Sequence, residues 1–180
     1  MCIICEGKSL DGMTELNCSW CKNIIEIPKI KGLQYLNCSN CPNLTEIPKI
    51  NSLQTLYCDG CTKLTKIPKI DSLQTLDCSR CPNLTEIPKI LGLRELYCYG
   101  CLIVLEIPKI KNLQELWCYN CPILYVPFNI AKKFGFRSRF FINKLIYVQN
   151  RMKDKVMIKK CMTKHNLLIP DLTNIIVSYC

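Results

Sequence analysis

Residues 33–50 read LQYLNCSNCPNLTEIPKI, Leu33 to Ile50, and the same wording returns every 20 residues. With Leu33 as position 1, the copies begin at Met13, Leu33, Leu53, Leu73, Leu93 and Leu113. Position 4 is always Leu, and positions 6 and 9 are always Cys, from Cys18 and Cys21 through Cys118 and Cys121. Position 12 is Ile24, Leu44, Leu64, Leu84, Val104 and Leu124, and position 18 is Ile throughout. Positions 4 and 6 keep the two-residue alternation of a strand and point to one face, which leaves positions 2, 3, 5 and 7 on or beside the solvent side. Positions 9, 12, 15 and 18 turn the chain inward again at intervals of three. Pro28, Pro48, Pro68, Pro88 and Pro108 fix φ and lack a donor, so the return arm is predicted to be extended rather than helical.

A single coil of this kind cannot bury its apolar face. Stacking six of them, at about 4.8 Å per parallel strand, builds one continuous core. Residues 1–12 precede the first copy as a short N-terminal cap, in which Leu10 falls in register with Ile30 while Cys2 and Cys5 match no position of the repeat. After Leu124 the pattern decays, because YVPFNI places its proline one residue early. The repeats are therefore expected to fill residues 13–130.

The pattern L-x-x-L-x-C-x-x-C, at this period, resembles that of leucine-rich repeat proteins. The wording CSNCPNLTEIPKI is similar to short cysteine-rich repeat proteins encoded by giant DNA viruses of amoebae. The repeat length also resembles the bacterial secreted-effector pattern L-x-x-L-x-V-x-x-N-x-L-x-x-L-P. This chain departs from that pattern, with Cys where Asn sits and two residues rather than one before the next Leu, as in the cysteine-containing class of repeats. About 50 residues follow the repeats, too few for the large ligase domain that some of those effectors carry. The resemblance implies an α/β leucine-rich repeat solenoid with parallel strands on a concave face and extended return arms. A basic α-helical C-terminal cap is expected over residues 131–180.

Composition agrees with a folded, non-enzymatic chain. Apolar residues make up 49% of the 180, and a net charge of +10 comes from 24 Lys and Arg against 14 Asp and Glu. Residues 131–180 hold eleven basic and two acidic residues, which places +9 of that charge in the tail. No apolar run is long enough for a membrane span, and the start MCIICEGKSLDG lacks the build of a secretory signal. The expected location is cytoplasmic, where thiols stay reduced, with the host cell as the setting if the chain is viral. His165 is the one histidine, which removes the usual residue of acid–base and His-dependent metal chemistry. No catalytic residues and no cofactor are expected.

The 16 cysteines invite three readings. Paired C-x-x-C units satisfy a zinc-ribbon template, and four thiolates could come from neighbouring coils. Against that, the gaps between the repeated pairs are all equal, and each Cys occupies a position the repeat already requires to be buried. Free Cys behaves as a small hydrophobe with a weak S–H donor, so buried structural thiols are the favoured reading and no metal site is assigned. Disulfides between coils are disfavoured because parallel Cβ vectors give poor geometry.

Function is expected on the variable positions of the strand face. Position 5 reads Asn17, Asn37, Tyr57, Asp77, Tyr97 and Trp117, and position 7 reads Ser19, Ser39, Asp59, Ser79, Tyr99 and Tyr119. Position 8 adds Trp20 and Arg80, and Arg94 interrupts a run of Gln at position 2. Aromatic and Arg side chains dominate binding hot spots. The candidate partner-binding residues are therefore Tyr57, Asp77, Arg80, Arg94, Tyr97, Tyr99, Trp117 and Tyr119. A competing reading is that the aromatics only stabilise the sheet by cross-strand contacts. The Glu26 and Lys29 columns of the return arm alternate in sign and are assigned no role.

In the tail, Phe141, Leu145, Val148, Met152 and Val156 recur at helical spacing among Lys and Arg, as expected of an amphipathic basic helix. It could cap the last coil, or bind nucleic acid or an anionic surface. The ending LIPDLTNIIVSYC resembles the first helix of an F-box, one residue short after Pro170, which would imply a ubiquitin-ligase adaptor. The favoured function is a protein–protein interaction module whose partner is a protein of unknown identity.

Overall fold

Every third-to-fifth position of the repeat forms a strand. In chain order these are β1 Glu15–Asn17, β2 Tyr35–Asn37, β3 Thr55–Tyr57, β4 Thr75–Asp77, β5 Glu95–Tyr97 and β6 Glu115–Trp117. They form one parallel sheet in sequence order, and each pairs with the next at a shift of one repeat, Leu16 opposite Leu36 and Leu96 opposite Leu116. The chain adopts this fold in a computed structural model that describes residues 2–104, 106–118 and 121, all within the first of two units into which the chain divides, Met1–Ile130. The basic helix expected over 131–180 and its F-box-like ending lie outside the described residues. Among the described residues there is no helix, so the α component of the expected α/β class rests entirely on that tail. What is described is a parallel-strand β-solenoid that fits a leucine-rich repeat fold.

The core follows the repeat. Leu36, Leu56, Leu76 and Leu96 at position 4 are fully buried, as are Leu33, Leu53, Leu73 and Leu93 at position 1. On the return arm, position 15 (Ile27 to Ile107) and position 18 (Ile30 to Ile110) are buried as well. Burying one such aliphatic side chain contributes about 1.5–3 kcal/mol, and each coil supplies several, which offsets the entropy of ordering a chain that is mostly loop. A tight turn opens each coil, with the amide of Leu53 donating to Ile50 O at 3.1 Å and that of Leu73 to Ile70 O at 3.2 Å.

Two residues of each coil from the second to the fourth tie it to its neighbours through sulfur. At position 9, the thiols of Cys41, Cys61, Cys81 and Cys101 donate to the carbonyls of Cys18, Cys38, Cys58 and Cys78 in the preceding coil, at 3.1–3.2 Å. At position 6, Cys38 donates to Tyr57 O at 3.5 Å and Cys58 to Asp77 O at 3.3 Å, both in the following coil. The position-9 thiols thus serve carbonyls that the turn after the strand leaves without a ladder partner, whereas the position-6 thiols add a second donor to carbonyls that already accept a backbone amide, as Tyr57 O does from Cys38 at 2.8 Å. All fourteen described cysteines are free, and those from Cys18 to Cys121 are buried.

Position 8 follows the strand in the left-handed region. Its φ is 61° at Trp20, 56° at Asn40, 69° at Gly60, 54° at Arg80 and 69° at Gly100. Gly and Asn adopt this conformation readily, whereas Trp20 and Arg80 do so against a steric cost of about 1–2 kcal/mol. Position 7 differs from the sequence expectation. Ser39 and Ser79 are 7% and 0% exposed, rather than on the solvent side. The reason is local: the left-handed residue that follows bends the chain inward before the alternation of the strand can continue.

Candidate functional site

The outward side chains of the strands are those of positions 3 and 5. Position 3 was not singled out in the sequence, yet it shapes this face. Tyr35 packs edge-on against Tyr57, ring centroids 5.8 Å apart. Tyr97 stacks on Trp117 at 6.4 Å with the rings 27° from parallel. Asp77 lies between these pairs, because the strand register places it beside Tyr57 on one side and Tyr97 on the other. The expected aromatic cluster is therefore two pairs divided by a carboxylate.

Asp77 also has a structural task. Its Oδ1 accepts from the backbone amide of Ser79 at 2.9 Å, as Asn17 and Asn37 accept from Ser19 and Ser39 at 3.1 and 3.0 Å. These are Asx turns that stabilise the exit from the strand. Burial raises the Asp77 carboxyl above its ordinary value, against the hydrogen bonds from Ser79 that hold it down. Coils with Tyr or Trp at position 5 forgo this turn.

Glu115 organises the far pair. Its Oε1 accepts from the Trp117 indole nitrogen at 2.7 Å. Burial pushes the Tyr97 hydroxyl up to about 12, and its hydrogen bond to Glu115 adds to the shift. The carboxylate thus orients the Trp117 ring, on which Tyr97 stacks. Glu95 accepts from Thr75 Oγ1 at 3.2 Å on the adjoining strand. Trp117 remains 49% exposed, so a broad aromatic face is held in place yet open to solvent.

Arg80, Tyr99 and Asp59 gather on the rim beyond the strands. Arg80 pairs with Asp59, one coil back, and its guanidinium lies 5.9 Å from the centroid of the Tyr99 ring, one coil forward. Asp59 was absent from the expected set because the link spans 21 residues and exists only once coils are stacked. Arg94 is exposed at position 2, on the opposite flank of the strands. Tyr119 lies outside the described residues. Of the candidates, the structure brings together Tyr97 with Trp117, and Arg80 with Tyr99; Tyr57 and Arg94 stand apart from both. Glu115 and Tyr35 could have been found by reading position 3 as a column beside position 5.

With charges at Asp59, Asp77, Glu95 and Glu115 against Arg80 and Arg94, this face offers an acidic, aromatic surface. Such a surface does not attract phosphate. No helix among the described residues is long and apolar enough to cross a membrane. No curated protein and no solved structure matches the chain. A family model described as Leucine Rich Repeat matches residues 72–93, which span β4 and the whole of its return arm, and together with six strands in one-repeat register this supports a leucine-rich repeat protein.

Proposed function

We propose that the chain is a protein-interaction module that takes its partner on the strand face between β3 and β6. Leucine-rich repeats typically serve as non-enzymatic interaction modules, and the carrying observation is the Tyr97–Trp117 pair, stacked, with Trp117 oriented by Glu115 and half exposed. A ring fixed in advance loses little entropy on binding, which is how an aromatic hot spot gains its energy. The acidic flank of Glu95, Glu115 and Asp77 suits a partner segment that carries a cationic side chain beside an apolar one. Arg80, Tyr99, Arg94, Tyr57 and Tyr119 complete the proposed surface.

The setting is a reducing one, in keeping with the free thiols of the ladder. The similarity of CSNCPNLTEIPKI to repeat proteins of giant DNA viruses makes the cytosol of a host cell the place to seek the partner. The test uses purified full-length chain to capture partners, with hydrogen exchange to locate the protected strands. Trp117→Ala combined with Tyr97→Ala is expected to abolish capture while the circular dichroism and urea midpoint stay close to the parent, and protection should fall on β5 and β6. Capture that persists in the double variant, or that weakens steeply with salt as phosphate binding does, contradicts this reading.

A further inference from the structure

The sulfur ladder has a first rung with no carbonyl to meet. Every position-9 thiol from Cys41 to Cys101 donates to the coil before it. Cys21 occupies position 9 of the first described coil, and residues 2–12, before it, form no strand. In place of a carbonyl it meets two further thiols: Cys2, Cys5 and Cys21 place their sulfurs within 4.8 Å of one another, and Cys5 Sγ lies 3.5 Å from Cys21 Sγ. The sequence marks the same place. Between the pairs Cys2/Cys5 and Cys18/Cys21 the gap is 12 residues, whereas every later gap in the ladder is 16.

The N-terminal segment is built to deliver these two sulfurs. The amide of Glu6 donates to Cys2 O at 3.1 Å and that of Gly7 to Ile4 O at 3.1 Å, closing a turn around the C-x-x-C, and Gly7 leaves it at φ 66°. Three sulfurs held about 2.3 Å from one tetrahedral ion lie about 3.8 Å apart, inside the range seen here.

We infer that Cys2, Cys5 and Cys21 form a binding site for one thiophilic, tetrahedral divalent cation of zinc's kind, which fastens the N-terminal segment to the open end of the solenoid. Each cysteine binds as a thiolate, so its S–H proton passes to solvent as the metal–sulfur bond forms. Cys2 and Cys5 are half-buried, and water fills the fourth position. The position-9 rungs from Cys41 to Cys121 stay thiols, because each already donates to a carbonyl, and, among the described residues, no other cluster of three such ligands occurs.

Cobalt(II) is the probe, titrated into full-length protein kept reduced with a phosphine. One equivalent is expected to bind and to give thiolate-to-cobalt charge-transfer absorption with tetrahedral d–d bands, while exchange of amides 2–12 slows. Cys2→Ser and Cys5→Ser each remove that absorption at equimolar metal and leave the circular dichroism unchanged, since both residues lie outside the ladder. Cys61→Ala, in the middle of the ladder, keeps it. The site is refuted if no charge-transfer band forms, if the band survives both serine variants, if two or more ions bind per chain, or if protein isolated without reductant holds Cys5 and Cys21 as a disulfide and takes up no metal when reduced.

Discussion

At the scale of single residues, the repeat asks two unusual things of its side chains. Position 8 must accept a left-handed backbone, and the chain answers with Asn40, Gly60 and Gly100 but also with Trp20 at φ 61°. Trp20 is 73% exposed, so its side chain returns little burial for that strain. Relief of about 1–2 kcal/mol exceeds the roughly 0.5–1 kcal/mol of chain entropy that a glycine adds. Trp20→Gly is therefore expected to raise stability by about 0.5–1 kcal/mol, read as a higher urea midpoint at unchanged slope. An unchanged or lower midpoint would mean that Trp20 makes contacts worth more than the strain. Arg80 is in the same conformation but is retained by Asp59 and Tyr99, and a glycine there should show no such gain.

At the scale of elements, the three-residue strands are too short to hold a coil by themselves, and the thiol-to-carbonyl bonds extend the pairing past them. These thiols are sensitive to alkali. Burial pushes Cys58 well above the ordinary 9.0, and Cys38 and Cys98 rise chiefly through side-chain hydrogen bonding with Cys61 and Cys121, then through burial. A thiol whose pKa is raised by folding gives its full stabilisation below the unfolded value and loses it as pH climbs. Above 9.0 the unfolded chain sheds protons that the native chain keeps. Three such groups give a slope approaching about 4 kcal/mol per pH unit. Urea midpoints should rise slightly from pH 7 to 8, where Cys21, held down at about 7, ionises in the native chain before it does in the unfolded one, and fall sharply by pH 10. Flat midpoints across pH 8–10 would show that the ladder thiols are not held protonated.

The strands, their register and the buried columns were legible in the sequence because all of them repeat at one spacing. The site was legible only in part. Trp117 and Tyr97 fall in a single column and could be read directly, whereas the Arg80–Asp59 pair depends on how neighbouring coils overlap, and the bond from Trp117 to Glu115 on a neighbouring column. Ser79 and Ser39 were misplaced because alternation was carried two residues beyond the end of the strand. Cys2 and Cys5 were set aside for being out of register, and that irregularity is what distinguishes them.

At the scale of the whole described solenoid, each coil touches only its neighbours, so stability accumulates along one dimension and the two ends differ from the middle. Sulfur and leucine fill the interior from Leu33 to Cys101 with essentially no exposure. The outer columns are then free to vary, which is what permits a binding face on so repetitive a scaffold. Site-resolved alkylation with iodoacetamide, followed by mass spectrometry, tests this arrangement most directly. In native, reduced, metal-free protein, Cys38, Cys41, Cys58, Cys61, Cys78, Cys81, Cys98 and Cys101 should resist labelling until urea unfolds the chain, while the half-buried Cys2 and Cys5 react at once. If the ladder cysteines are labelled in the native protein as fast as in urea, the coils do not stack on their sulfurs and the account fails.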